Sequence, residues 1–190
     1  MEEQDTKGRL LSAAINLLLA AEFPNKVTAR QIAKEADANL AMINYFFKSK
    51  DELVNQAIAA VIEEKVKPLA SVIDNQLEPR ERLYRVLNYY CDISVAFQKF
   101  LELSVPYKLL AKPLEVPMEI LEIIEEFYQH RIPVQYSRMI ALQITSFTEL
   151  LFLRAADFRA YSGINMGDKR HREQYLRFQV ELFLQDKSEE

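Results

Sequence analysis

A single cysteine, Cys91, stands in this chain of 190 residues. That excludes an intramolecular disulfide and leaves a metal cluster no second thiolate; the residue reads as a small buried hydrophobe. Glycine is almost as scarce, at Gly8, Gly163 and Gly167 only. Leu, Ala, Glu, Lys, Gln and Arg fill the long stretches between, a composition that favours helix throughout. No uncharged apolar run approaches the roughly 18 residues of a membrane span. The opening MEEQDTKGRL is acidic and polar, unlike a secretory or transit signal. Excess positive charge is missing too: net charge is -4 and the pI is near 5.4, so the whole molecule is no magnet for nucleic acid. Catalytic signatures are absent, with no glycine-rich phosphate loop, no His-Glu-x-x-His, and two histidines, His130 and His171. Glu126 and His130 share an i, i+4 face, a spacing more often a surface interaction than a metal site. The expectation is a cytoplasmic, all-α protein that is not an enzyme and holds neither metal nor cofactor.

What is present is patterned. Hydrophobic residues make up 49% and charged residues 27% of the chain, a globular rather than disordered balance. Apolar positions 10, 11, 14, 15, 17, 18 and 19 predict a helix from Thr6 to about Ala21, stopped by Phe23-Pro24-Asn25. Thr28-Ala29-Arg30-Gln31 has the form of a capping box, so a helix starts at Ala29 and runs to about Ala36. Asp37-Ala38-Asn39 is a break, after which Asn39 can cap a second short helix to about Phe46 or Phe47. Ser49-Lys50-Asp51-Glu52 is another capping box, opening a longer helix that Pro68 ends or kinks. Pro79 begins a helix to about Leu103, apolar round most of its circumference and so expected to lie centrally. Pro106, Pro113 and Pro117 predict a loop with at most a short helix. Further helices are expected over about 118 to 131, 134 to 161 and 169 to 185. The last two carry apolar residues on more than one face, which leaves one face for a partner.

The stretch QIAKEADANLAMINYFFKSKDEL, residues 31 to 53, concentrates the functional signal. Two short helices about a three-residue break suit a helix-turn-helix, whose second helix enters the DNA major groove. Ala33 is small where the helices cross, and Asp37 falls where a left-handed residue is needed. Ile43 and Phe47, spaced i, i+4, can anchor the second helix inward. Asn39, Leu40, Ala41, Asn44 and Tyr45 are then free to face outward. Leu40 and Ala41 can touch thymine methyls, and Asn44 an adenine edge or a phosphate. Tyr45, Lys48 and Lys50 suit phosphates, with Thr28 and Arg30 doing the same from the preceding helix's start. From 26 to 50 there are five basic and two acidic residues, a balance of +3 against -7 for the rest. An interior helical hairpin with solvated lysines would share the spacing.

The phrase MINYFFKSKDEL separates these readings, because it resembles the TetR family of bacterial transcriptional regulators. The likeness rests on Asn44-Tyr45-Phe46-Phe47, Lys48-Ser49-Lys50 and Asp51-Glu52-Leu53, with Val27-Thr28-Ala29-Arg30-Gln31-Ile32-Ala33 matching upstream, and is specific over about residues 9 to 58. It implies an N-terminal three-helix bundle with a helix-turn-helix, followed by a larger helical effector-binding and dimerisation domain. The DNA-binding unit would occupy 6–66, its reading head 6–50 joined to a connecting helix from 51, and the second domain 67–190. The resemblance carries over Thr28, Arg30, Asn39, Leu40, Ala41, Asn44, Tyr45, Lys48 and Lys50 as DNA contacts. It further implies a homodimer through helices near 134–161 and 169–185, a double-stranded DNA operator, and repression relieved by a small-molecule effector. Tyr84, Tyr89, Tyr90, Phe97, Phe100, Tyr107, Phe127 and Phe147 are the aromatics available to line an effector pocket, which points to a lipophilic or aromatic ligand. Two departures stand out: Asp37 where the family usually has glycine, and Phe46 where it commonly has a phosphate-bonding His or Tyr, so Phe46 is assigned to packing. The alternative is a non-catalytic helical interaction protein with a vestigial helix-turn-helix.

Overall fold

The computed structural model describes residues 2–71, 73–129 and 131–185; His130, and with it the Glu126–His130 pair, lies outside them. Among the described residues there are ten α-helices and no strand. No single described helix is long and apolar enough to cross a membrane.

The chain divides into two compact units. The first comprises the residues up to Val66 together with Phe97–Lys112. It contains α1 (Glu2–Ala20), α2 (Ala29–Glu35), α3 (Ala41–Phe47), α4 (Lys50–Lys65) and α6 (Leu101–Ala111). Leu10, Ala14 and Leu18 line one stripe of α1, and Leu53, Ala57, Ile58 and Val61 one stripe of α4; all are buried in a common core with Ile32, Ile43 and Phe47. The i, i+4 pair Ile43 and Phe47 is thus the inward anchor of α3. Phe100 enters this same core at 1% exposure, with Phe97 and Leu103 packed against it. The segment 97–112, grouped with the second domain in the sequence reading, packs with the first unit.

The second unit holds α5 (Pro79–Ala96), α7 (Met118–Tyr128), α8 (Val134–Leu153), α9 (Ala155–Ser162) and α10 (Lys169–Phe183). Leu83, Val86, Leu87 and Cys91 of α5 are buried, as are Ile120 and Ile124 of α7, Ala141 and Ile144 of α8, and Leu176 and Val180 of α10. The thiol of Cys91 is pushed up to about 12 by burial, so it stays protonated and packs as a hydrophobe. Two guanidiniums are buried and paired: Arg82 with Glu126, and Arg172 with Asp92, whose carboxylates are the half-exposed partners. Arg172 also donates to the carbonyl of Met166, 3.1 Å away.

Three helix expectations are corrected. The helix from Pro79 ends at Ala96 rather than near Leu103: Phe97 (φ -113°, ψ 27°) leaves helical geometry and a 3-10 turn follows over Gln98–Phe100. The break turns Phe100 into the first unit's core, and the apolar periodicity runs on across it because both flanking helices bury apolar faces. Pro106 sits inside α6, an eleven-residue helix, not in a loop. Its ring removes one i to i−4 hydrogen bond, a loss offset by burial of Phe100, Ser104 and Val105 on the same segment. The single helix expected over 134 to 161 is two helices bent by 98° at Arg154. There the backbone N–H of Arg154 closes α8 on the carbonyl of Leu150 while its own carbonyl accepts from Phe158 to open α9. Its guanidinium reaches Asp157 in the first turn of α9 at 2.8 Å. No proline or glycine marks that corner. Gly163, at φ +75°, then caps α9 in the left-handed region where a Cβ would be strained.

Candidate nucleic-acid interface

The helix-turn-helix is built by its caps. Thr28 starts α2 with a complete capping box: its Oγ1 accepts the N–H of Gln31 at 3.3 Å, and its own N–H donates to Gln31 Oε1 at 2.8 Å. The Thr28 hydroxyl also donates to Gln31 Oε1, 2.8 Å away, so it must rotate before it can donate to a phosphate. Arg30 is exposed in the same first turn. The end of α2 is a Schellman turn: Ala38 N–H donates to the carbonyl of Ala33 (2.9 Å) and Asp37 N–H to that of Lys34 (3.2 Å). Asp37 occupies the left-handed position of that turn, at φ 47°. Beyond it, Asn39 Oδ1 accepts the N–H of Ala41 at 2.9 Å and its carbonyl accepts Met42. Asn39 therefore caps α3 with its side-chain oxygen, which leaves its amide N–H groups for other partners.

Leu40, just before α3, and Ala41, Asn44 and Tyr45 on it are all exposed, Tyr45 at 65%, while Ile43 and Phe47 behind them are buried. Short, apolar and amphipathic side chains on an outward face are unusual where water is the only neighbour. Phe46 is half-buried, packs against the first unit's core and meets the Tyr45 ring edge-on at 4.8 Å. Lys48 is exposed and Lys50 half-buried. Lys48 carries a backbone strain that sequence reasoning missed: φ is 66° and ψ -34°, outside the ordinary left-handed well for a residue with a Cβ. Lys7, also missed, rests its ammonium 5.7 Å from the centre of the Phe47 ring.

The most consequential omission is at Glu52. Ser49 Oγ caps α4 by accepting the N–H of Glu52 at 3.1 Å. The Glu52 carboxylate, expected to complete a capping box, is taken by others: Gln56 at 2.8 Å, Tyr107 Oη at 2.6 Å and Lys112 Nζ at 2.7 Å. Hydrogen bonds from Lys112, then Tyr107, then Gln56 hold this carboxyl down to about 2. Nothing local in the sequence announces the arrangement, since its two strongest donors, Lys112 and Tyr107, stand 55 residues or more further along the chain.

The eight aromatics considered for a pocket do not form one group. Phe97, Phe100 and Tyr107 belong to the first unit, Phe97 and Phe100 stacked at 6.4 Å between centres. Tyr84, Tyr89, Tyr90, Phe127 and Phe147 belong to the second. Tyr84 lies under the Arg177 guanidinium at 3.9 Å and Phe127 under that of Arg80 at 4.8 Å. Tyr89 donates to the carbonyl of Lys67 at 2.7 Å. The phenol of Tyr90 is pushed up to about 12, chiefly by burial, and so remains a neutral donor. Phe147 is 48% exposed on α8.

Two short helices about a Schellman turn, an anchored α3 with an unfilled outer face, and lysines at its end define a helix-turn-helix protein with a second helical unit. Residues 10–57 match the profile described as bacterial regulatory proteins, tetR family. That segment is similar to the N-terminal domain of the TetR family of bacterial regulatory proteins. Over 86 residues it is 30% identical to the HTH-type nicotine-responsive transcriptional repressor HdnoR of Paenarthrobacter nicotinovorans. That match takes in 45% of this chain and spans 44% of the repressor's length. A TetR-like transcriptional regulator from Rhodococcus sp. RHA1 shares the fold with a TM-score of 0.52 at 19% identity, over 92% of this chain and 93% of that one. NalD of Pseudomonas aeruginosa, the secondary repressor of the MexAB-OprM multidrug efflux pump, does so with a TM-score of 0.50 at 15% identity, over 97% and 98%.

Proposed function

We propose that this chain is a sequence-specific DNA-binding transcriptional repressor that acts as a homodimer on a palindromic operator and is released by a small molecule. The observation that carries the proposal is the outer face of α3. Leu40, Ala41, Asn44 and Tyr45 are exposed there on a helix fixed by Ile43 and Phe47, in the orientation base-edge readout requires. Asn44 reads a base edge or a phosphate. Thr28, Arg30, Asn39, Tyr45, Lys48 and Lys50 hold the backbone and set the register.

Dimerisation is supported by an unfilled apolar stripe on α8 and α10: Tyr136, Met139, Phe147 and Leu150 on the first, Phe178 and Leu182 on the second, all exposed. A two-fold dimer sets its recognition helices about 34–36 Å apart, or a multiple, so the operator is a (pseudo)palindrome. For the effector, the proposal rests on Tyr84, Tyr89 and Tyr90 of α5 and Phe127 of α7 in the second unit, which suit a lipophilic or aromatic molecule. A nicotine-responsive repressor among the relatives supports control by a small molecule. Phe100 is withdrawn from that role because it fills the core of the other unit.

Selection of bound sequences from a random duplex pool, at salt low enough to permit phosphate contacts, tests the reading. A palindromic consensus with fixed half-site spacing is the expected result. Recovery of no consensus would leave the vestigial helix-turn-helix of an interaction protein.

A further inference from the structure

The first unit is closed by a piece of chain that arrives late. Residues 97–112 return to the reading head after the whole of α5 has been spent on the second unit. They tie onto it at three separated places. Lys99 Nζ donates to the carbonyls of Leu18 (3.3 Å) and Leu19 (3.0 Å), the free C-terminal carbonyls of α1, where a cation is favoured. Asn25 Nδ2 donates to Glu102 Oε2 at 3.0 Å. At the far end, Tyr107 and Lys112 both take the carboxylate of Glu52.

We infer that Tyr107 and Lys112 are positioning residues for DNA binding, holding through Glu52 the lysine-bearing start of α4. Glu52 stands in the first turn of α4, two residues after Lys50, and its N–H is the one that Ser49 caps. The link between α3 and α4 is only Lys48 and Ser49, and Lys48 is already bent into an unfavourable backbone region. The bonds of this junction, Lys48 N–H to the Asn44 carbonyl and Ser49 to the N–H groups of Glu52 and Leu53, close each helix on itself and do not tie one helix to the other. The Glu52 side chain is 18% exposed, and charge-assisted bonds to a shielded carboxylate are stronger and more directional than those made in water. Two donors from the segment of α6, Tyr107 and Lys112, therefore fix the first turn of α4 relative to it, and with it the direction in which Lys50 points. Neither Tyr107 nor Lys112 needs to touch DNA.

The inference rests on the DNA-binding role proposed above, and the experiment separates the two. The duplex selected by the wild-type protein is titrated against wild type, Glu52→Gln, Tyr107→Phe, Lys112→Met and Lys112→Arg over a range of salt, with melting measured alongside. Amide hydrogen exchange of residues 48–52 in the DNA-free proteins is followed in parallel. Glu52→Gln and Lys112→Met should each weaken binding roughly tenfold, equivalent to about 1.4 kcal/mol. The slope of affinity on salt should not change, because Lys50 still meets its phosphate in the complex and the loss is the cost of ordering residues 48–52 on binding. Lys112→Arg should restore binding, and exchange at 48–52 should quicken in the weakened variants only. The double variant Tyr107→Phe/Lys112→Met should lose no more than Glu52→Gln, because all three act through one carboxylate. Folded variants with wild-type affinity would overturn the inference while leaving the DNA reading intact. So would a fall in salt slope for Lys112→Met, which would make Lys112 a phosphate contact. Unchanged exchange at 48–52 would overturn it without reference to DNA. A wild-type protein that selects no duplex would refute the DNA reading itself.

Discussion

Replacing Lys48 by glycine separates the two things this residue does. At φ 66° and ψ -34° a side chain with a Cβ is strained, and such outliers cost about 1–3 kcal/mol. Glycine removes that cost but loses roughly 0.5–1 kcal/mol in chain entropy. The balance is a gain of about 1 kcal/mol for Lys48→Gly, and for a protein of this size that raises the melting temperature by about 2–4 °C at fixed protein concentration. Lys48→Ala keeps the strain and should not be stabilised. Both variants lose the same exposed cation, so under the proposed function both should weaken DNA binding alike. Each phosphate contact removed should lower the salt slope by about 0.9. The outcome sought is thus a protein that melts higher and binds worse. Urea unfolding of the three proteins, read with the binding titrations, decides it. Equal stability of Lys48→Gly and Lys48→Ala would refute the strain, because only glycine relieves a positive φ.

Three further outcomes follow from other sites. Glu52, held down to about 2 against an ordinary value of 4.5, contributes stability that is fully present above the unfolded value and lost as pH falls from about 4.5 toward 2, at most roughly 3 kcal/mol. Subtracting the acid unfolding curve of Glu52→Gln from that of wild type isolates it; superimposable curves would show that the carboxylate is not held. Asp92→Ala strips a guanidinium whose side chain is only 4% exposed of its anion and should destabilise the protein by about 2 kcal/mol, the Met166 carbonyl remaining. A loss below about 0.5 kcal/mol would place that pair among ordinary surface ion pairs. Lys50→Ala should weaken binding on every duplex and flatten its salt dependence, whereas Asn44→Ala should change base preference; uniform losses across operators for both would remove Asn44 from base readout.

The features legible in the sequence were those set by neighbours a few residues apart. The Thr28–Gln31 box, the left-handed Asp37 and the inward pair Ile43 and Phe47 each follow from spacing within one or two turns. Where distant packing decides, the sequence is silent. The hydrophobic period runs on through Phe97 without a proline or glycine, because the break exists to seat Phe100 in a core made of residues before position 66. The corner at Arg154 is stabilised by its own carbonyl and by Asp157, and neither residue type signals a bend. Glu52 shows the same limit at a single side chain: its position three residues after Ser49 predicts a reciprocal cap, and the backbone half forms. The carboxylate is diverted to Tyr107 and Lys112, which offer charge and shielding that one more backbone N–H at an exposed helix start does not. The pocket aromatics were read by composition alone, and composition does not say which of two units a ring joins.

Phe100 also fixes an order of events during synthesis. A nascent chain that ends at Val66 holds every side chain proposed to read DNA, yet lacks the ring that fills its core. Leaving a phenylalanine-sized hole costs about 3–5 kcal/mol, a large share of the stability of a small domain. The reading head therefore reaches its final packing only after Lys112 has left the ribosome. The early helices wait, loosely assembled, while α5 is made, and under the proposed function the first competent encounter with DNA belongs to a chain that already carries residues 97–112.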